Sequence, residues 1–243
     1  MFDAGGTLVR LDFEWMAGAL ADLDGVPDAA ALRRAEIEGR RRYDASFGHP
    51  IGPGELHPPL GTRGDIREYF MGLLESAGVA ASAREAAYER FQVRQSGPGL
   101  WSQPMEGARA AIDGVAALGL RRAVVSNSDG RAEWHLEQCD VREGLEFVVD
   151  SQIEGVEKPD PRIFRIALDR LGVAAARALY VGDIRSVDEA GAAATGMHFV
   201  LIDPYGDYGV PTVDSIATIA RLPAWVSERF SVPAVQAGSR RES

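Results

Sequence analysis

Four residues that are far apart in the sequence carry side chains that could act together on a charged substrate: Asp3, Ser126, Lys158 and Asp183. A carboxylate can serve as a nucleophile or bind a hard divalent cation, and a lysine supplies a compact positive charge. Lys158 is the only lysine in the chain, against 25 arginines. The segments of Ser126, Lys158 and Asp183 each follow a predicted strand, and open α/β sheets bind their ligands at the carboxyl ends of strands.

The strands that would position these residues are short, apolar and rich in β-branched residues, as in a buried parallel sheet. They are RRAVVS (121–126), FVVDS (147–151), ALYVG (178–182) and MHFVLI (197–202). Helical patterns separate them at 104–119, 130–139, 160–172 and 186–196. The third helix has a predicted N-cap at Asp160, a proline at its first position and Gly172 just past its end. This alternation predicts a doubly wound, Rossmann-like α/β fold.

The region from 13 to 98 has a different pattern, with four helical segments and no strand. Within one of them, Ile66, Tyr69, Phe70 and Leu73 follow the spacing of one helix face. We therefore predict a core domain of residues 1–12 and 99–230, an inserted helical cap of 13–98 and a flexible tail of 231–243. A Gly/Pro-rich loop at Phe47–Gly64 interrupts the cap, and Gly and Pro at 96–104 indicate a hinge at its exit.

Composition excludes several classes of protein. The net charge of −10 over 243 residues argues against nucleic-acid binding, and we expect the Arg clusters at 33–34, 40–42 and 121–122 to lie on solvated helix faces or strand edges. No run approaches the roughly 20 apolar residues of a membrane span. With one cysteine and no signal peptide before the first motif, the chain is expected to be cytoplasmic.

Four segments resemble, in order, the motifs of the haloacid dehalogenase-like (HAD) hydrolase superfamily, in the branch whose helical cap is inserted after motif one. They are FDAGGTL, VVSNSDG, VEKPDP and YVGDIRSVD. The resemblance covers roughly residues 1–203. It implies an α/β core, a cap that closes over the site, and phosphoryl transfer from a small phosphorylated metabolite.

The resemblance also implies a role for individual residues. Asp3 would be the nucleophile that forms an aspartyl-phosphate, and Mg²⁺ would bind Asp3, Asp183 and the backbone carbonyl of Gly5. Thr7 would shape the turn, and Asp188 would orient the metal ligands or Lys158. The phosphate would be bound by Ser126, Asn127, Lys158 and the backbone N–H groups of Ala4 and Gly5.

Gly5 is the main departure from the family pattern, because phosphatases of this superfamily carry a second Asp there. That Asp protonates the leaving oxygen, and general acid–base catalysis contributes about 10² to 10⁴-fold. The acid could come from the cap, or the leaving group, as in an acyl or aryl phosphate, could depart unprotonated. The cap residues considered for this role are Asp12, Glu14, Asp44, His49 and His57.

Three other functions compete with the phosphatase prediction, two from family members with other chemistry and one from a different functional class. Phosphonate cleavage is excluded because it needs a cap lysine and residues 13–98 contain none. Dehalogenation is disfavoured, since GDIRSVD keeps the metal-binding pattern. A ligand-binding or regulatory protein that has lost turnover is the main alternative to a phosphatase.

The start of the chain is the second departure. Motif one of this family ends a central strand of about five residues, and only Met1 and Phe2 precede Asp3. We therefore expect the natural protein to begin several residues upstream.

Overall fold

The computed structural model describes residues 1–23, 27–47, 63–210 and 213–231. Its core contains parallel strands β3 (Val124–Ser126), β4 (Val148–Asp150), β5 (Leu179–Gly182), β6 (His198–Ile202) and β7 (Ser215–Ile216). β3 pairs with β4, and β5, β6 and β7 pair in that order. Phe2 forms parallel bridges with both Val124 and Val181, which places the opening residues between β3 and β5. The predicted parallel sheet is therefore confirmed.

Helices separate the strands of the core as the sequence predicts. They are α5 (Ala108–Ala117), α6 (Ala132–Gln138), α7 (Ser151–Glu154), α8 (Pro161–Leu171), α9 (Ala190–Thr195) and α10 (Leu222–Arg229). α8 has the predicted ends: Asp160 accepts a hydrogen bond from the Arg162 amide, and Gly172 adopts φ +62°. A π-helical segment, Arg185–Glu189, precedes α9 where a regular helix was expected.

The inserted region is helical, as predicted. Its helices are α1 (Phe13–Ala19), α2 (Ala29–Ser46), α3 (Ile66–Ser76) and α4 (Arg84–Ser96), and their apolar side chains form a cluster of their own. The connections to the core contain two strands that sequence reasoning missed, β1 (Val9–Leu11) and β2 (Trp101–Pro104), which pair antiparallel. Strands of three or four residues are too short to show a period of two. β2 lies inside the segment for which we predicted a hinge.

The exact domain boundaries remain a prediction. Of the predicted tail, residues 232–243 lie outside the described part of the chain, as do residues 48–62 of the cap loop. Among the described helices, none combines the length and the apolar character that a bilayer crossing requires.

Candidate active site

A cavity of about 210 Å³ lies at the carboxyl ends of the core strands, and the four side chains singled out in the sequence meet there. Asp3, Ser126, Lys158 and Asp183 all line it, together with the predicted site residues Ala4, Gly5, Asn127 and Asp188. Ser126 ends β3, and Asp183 directly follows β5. The convergence follows from the parallel sheet, because strands that run in one direction end at one edge.

Lys158 joins two of the carboxylates. Its Nζ donates to Oδ1 of Asp3 and to Oδ1 of Asp188, each at 2.7 Å, and to the Tyr180 hydroxyl at 3.1 Å. Burial alone would lower the pKa of Lys158, but the charges of Asp188 and Asp3 raise it above the ordinary value of 10.5. The ammonium therefore stays charged. Tyr180, which donates in turn to the Val125 carbonyl at 2.7 Å, has no motif signal and was not found from the sequence.

Asp188 also holds the start of the Asp183 loop. Its Oδ2 accepts hydrogen bonds from the backbone N–H groups of Asp183 and Ile184, each at 3.0 Å. Asp188 is completely buried, with both oxygens engaged. It thus contacts Lys158 and the backbone of Asp183, a predicted metal ligand.

Asp183 belongs to a cluster of three buried carboxylates. One carboxylate oxygen from each of Asp3, Asp183 and Asp188 lies within 4.8 Å of the other two, and the buried Oδ1 of Asp183 has no hydrogen-bond partner among the described residues. Burial raises the pKa of Asp183 well above its usual value, and Arg40 offsets this only in part. A hard divalent cation fits this donor set, because it would supply the partner that Oδ1 lacks and keep the carboxylate ionised.

Arg40 corrects a prediction, since it does not lie on a solvated helix face. Its side chain, on α2 of the cap, is only 1% exposed, and Nε lies 3.3 Å from Oδ2 of Asp183. Its Nη2 lies 3.3 Å from Glu36, and Nη1 donates to the Ile202 carbonyl at 3.2 Å. The cap thus places a positive charge against a core carboxylate. An arginine in an RRR run gives no sequence signal for burial.

Asn127 lines the cavity, and its side chain binds the backbone of Lys158, while its contact with a phosphate stays a prediction. Its Oδ1 accepts from the Lys158 amide at 2.7 Å, and its Nδ2 donates to the Lys158 carbonyl at 2.9 Å. Both ends of the amide therefore hold the backbone that carries the Lys158 ammonium. The structure gives Asn127 a positioning contact.

The turn after Asp3 allows a very close approach of Asp183. Gly6 has φ +74°, and a Cβ on it would lie 2.0 Å from Oδ2 of Asp183. Only glycine tolerates both this positive φ and this close contact with the carboxylate. Thr7 is fully buried below the turn and does not line the cavity, and its Oγ1 has no partner among the described residues.

Several residues were considered as replacements for the catalytic acid that is missing at position 5, and those that the structure describes do not line the cavity. Asp12 caps α1 by accepting from the Trp15 amide at 3.0 Å, and the exposed Glu14 pairs with Arg10. Asp44 is buried against the core. It accepts from the Ser186 amide at 2.9 Å and from the Tyr208 hydroxyl at 2.5 Å. His49 and His57 lie outside the described residues.

The cap contributes side chains to the cavity that sequence reasoning missed. Tyr43, Ile66, Tyr69 and Gln95 line it from the cap, and Trp101 lines it from β2. The position of the Gly/Pro-rich loop in the cap predicts further substrate-selecting residues around Phe47–Gly64, most of which lie outside the described part. The lining residues could not be selected from the sequence, because aromatic side chains on amphipathic helices are more often part of the core.

Comparisons with known proteins agree with the fold and identify the family. The family model of the haloacid dehalogenase-like hydrolases matches residues 1–196. The haloacid dehalogenase-like hydrolase domain-containing protein 3 of Bos taurus is 38% identical over 155 residues, 61% of this chain and 60% of that protein. This chain thus spans about three fifths of that relative.

Two further similarities cover nearly all of the chain. A phosphoglycolate phosphatase of Rhodospirillum rubrum is 30% identical over 222 residues, 90% of this chain and 84% of that protein. The crystal structure of a dehalogenase with an intermediate complex superposes with a TM-score of 0.56, at 20% identity, over 92% of this chain and 94% of that one. The chain belongs to the haloacid dehalogenase-like hydrolase family.

Proposed function

We propose that this hydrolase is a Mg²⁺-dependent phosphatase that acts on a small phosphorylated metabolite through an aspartyl-phosphate on Asp3. The observation that carries the proposal is the cluster of three buried carboxylates, Asp3, Asp183 and Asp188, in which Oδ1 of Asp183 has no hydrogen-bond partner among the described residues. A cluster of three buried acids needs more positive charge than Lys158 and Arg40 supply, and Mg²⁺ with a phosphate ester would complete it. The phosphatases among its relatives support this assignment.

Asp3 and Asp183, with the Gly5 carbonyl, would hold the cation. When bound, Mg²⁺ supplies charge neutralisation for the anionic substrate next to the carboxylates. Lys158 engages Oδ1 of Asp3, so we assign nucleophilic attack to Oδ2. Burial raises the pKa of Asp3 above 3.8, whereas the Lys158 ammonium lowers it and favours the ionised nucleophile.

The reaction proceeds in two steps. Oδ2 of Asp3 forms a bond to phosphorus while the bond from phosphorus to the leaving oxygen breaks, and the leaving oxygen takes away the electron pair. Water then attacks the aspartyl-phosphate, which releases inorganic phosphate and regenerates the carboxylate. Ser126 and Lys158 line the cavity and would stabilise the charge of the phosphoryl oxygens.

Phosphate release from acetyl phosphate and p-nitrophenyl phosphate, with Mg²⁺ and with EDTA, tests the proposal. We expect turnover that requires Mg²⁺ and that Asp3→Asn abolishes. Asp113→Asn is the matched control because Asp113 is exposed on α5, where it pairs with Arg109. A wild-type protein that binds phosphate but releases none would favour the ligand-binding alternative, and chloride release from 2-chloropropionate without metal would favour a dehalogenase.

A further inference from the structure

We propose that the Trp101 indole occupies the place of the missing motif-one acid and restricts the site to phosphate compounds whose leaving group departs without being protonated. This inference rests on the proposed phosphatase function and names the substrate class: acyl phosphates and phosphates of acidic alcohols. It starts from the one position at which the first motif departs from its family.

The space beside Gly5 is filled by Trp101. A Cβ built on Gly5 would lie 3.1 Å from both Cδ1 and Nε1 of the indole, closer than ordinary van der Waals contact. Unlike Gly6, Gly5 does not have a positive φ, so its backbone would accept a side chain. The indole, and not the turn, therefore keeps residue 5 small, and a carboxylate extending beyond Cβ would need the ring to move.

Trp101 is held firmly in this place. It is the first residue of β2 and pairs with Leu11 of β1, so the connection between cap and core fixes its backbone. Its ring packs against Tyr69 and Phe70 of α3, with centroid distances of 6.3 and 5.9 Å. Trp101 contacts the apolar clusters of both the core and the cap. An aromatic ring held on several sides does not swing away to admit a side chain at residue 5.

The chemistry of an indole differs from that of a carboxylic acid. Its Nε1–H donates a hydrogen bond but does not give up the proton to a leaving oxygen at neutral pH. Trp101 lines the same cavity as Asp3, so it can exclude water and solvate a departing oxygen. The substrate must then leave as a stable anion, such as a carboxylate or an acidic phenolate, whereas an alkoxide would depart slowly.

Two other titratable groups line the cavity from the α6 side. Asp129 accepts from Arg131 at 2.6 Å, which lowers its pKa and keeps it ionised, so it is a poor acid. His135 has an Nδ1 without a partner among the described residues, and burial lowers its pKa. A neutral imidazole is likewise a poor proton donor. His135→Gln is nevertheless a necessary control.

The test is the dependence of kcat/KM on the pKa of the leaving group, measured with Mg²⁺ on acetyl phosphate, a series of substituted phenyl phosphates, and glycerol phosphate as the alkyl probe. General acid catalysis contributes about 10² to 10⁴-fold, so without it kcat/KM should fall steeply as the pKa of the leaving group rises. We expect kcat/KM for the alkyl ester to lie at least about 100-fold below that for p-nitrophenyl phosphate. A fall in kcat/KM of less than about 10-fold across the series would overturn the inference. If this shallow dependence became steep in His135→Gln, His135 would be the acid.

Restoring the acid gives a second, independent readout. Gly5→Asp alone should gain nothing on glycerol phosphate because the indole fills the space. The double variant Gly5→Asp with Trp101→Ala should exceed Trp101→Ala alone by about 10-fold or more on this ester, with a flatter leaving-group dependence. A folded double variant without that gain contradicts the inference.

The outcomes separate the inference from the function on which it rests. The leaving-group series uses the unaltered protein, so it can overturn the inference even where the double variant does not fold. Asp3-dependent turnover with a shallow series refutes the role of Trp101 alone. If no phosphate is released from any of these substrates, the proposed function fails, and the inference fails with it.

Discussion

Nε of Arg40 lies 3.3 Å from Oδ2 of Asp183, and this contact joins the helical cap to the acid cluster of the core. The pair is almost completely buried, yet Nε makes no hydrogen bond of good geometry to any of the described residues. Arg40 therefore contributes mainly charge. It compensates Asp183 while leaving Oδ1 of that residue available, which is the arrangement expected if a cation shares the carboxylate.

Replacing Arg40 tests whether Arg40 and a bound cation together offset the negative charge of Asp183. Arg40→Met leaves Glu36 and Asp183 buried without their cation, and breaking a buried pair in this way costs about 3 to 5 kcal/mol. We expect the melting temperature to fall in EDTA and Mg²⁺ to raise it by more in the variant than in the wild type, because the metal ion replaces the lost charge. Thermal melts with and without Mg²⁺ measure both effects.

The neighbouring arginine provides the control for that measurement. The Arg41 side chain is 43% exposed and pairs with Glu38, so Arg41→Met should change stability by less than about 1 kcal/mol. Its response to Mg²⁺ should match the wild type. Equal Mg²⁺ shifts in Arg40→Met and Arg41→Met would show that Arg40 and the proposed metal site are not coupled.

Much of the core could be predicted from the sequence because its signals are local. The caps of α8 at Asp160 and Gly172 depend on neighbouring residues only. The position of Ser126 and Asp183 at the sheet edge could be anticipated because both lie at the ends of apolar runs, whereas their roles are implied by the resemblance of the motifs. The parallel topology then brings the strand ends together.

The contacts that were missed are between residues distant in the chain. In the sequence, Arg40 is one of three consecutive arginines. Its burial depends on Asp183, which lies beside it only in the folded chain. The contact of Trp101 with Gly5 likewise depends on the pairing of β1 with β2. Neither hydrophobic periodicity nor motif spacing contains this information.

Gly6→Ala should disrupt the proposed metal site. The new methyl group would lie 2.0 Å from Oδ2 of Asp183, and the residue would keep a φ of +74° that alanine adopts at a cost. Strain of this kind costs about 1 to 3 kcal/mol, and the displaced carboxylate should weaken the stabilisation by Mg²⁺. Urea unfolding at several Mg²⁺ concentrations gives both quantities.

A glycine with open space around it serves as the comparison for Gly6. Gly18 lies in α1, and a Cβ added to it would meet no atom of the described residues within 4 Å. Gly18→Ala should be neutral or stabilise by up to about 1 kcal/mol. If Gly6→Ala were equally well tolerated, with an unchanged response to Mg²⁺, this result would contradict the close contact between Asp183 and the turn.

Asp44 should make stability depend on pH. Burial raises its pKa to about 6 from the ordinary 3.8, against the lowering effect of its bonds to Ser186 and Tyr208. Between these two values the folded chain binds more protons than the unfolded chain, so the Asp44 contribution falls as pH rises from about 4 to 6 and is constant above that range.

Asp44→Asn removes this titration and nearly preserves the shape of the side chain. The free energy of unfolding of the wild type minus that of Asp44→Asn should decrease by up to about 3 kcal/mol between pH 4 and pH 7, at 1.36 kcal/mol per pKa unit. Denaturant titrations of both proteins across this range supply the difference. A constant difference, or one that increases with pH, would contradict the predicted sign.

Lys158 should be indispensable for both stability and chemistry. It is buried between Asp3 and Asp188, so Lys158→Met leaves two carboxylates without their shared cation, at a cost of about 3 to 5 kcal/mol. Loss of a positioned charge at the phosphoryl group should also lower kcat by about 10² to 10³-fold. Lys158→Arg keeps the charge but not the compact shape, and should recover part of the stability and little of the activity. Denaturant unfolding and kcat on acetyl phosphate separate these effects, and full activity in Lys158→Arg would show that charge alone is enough.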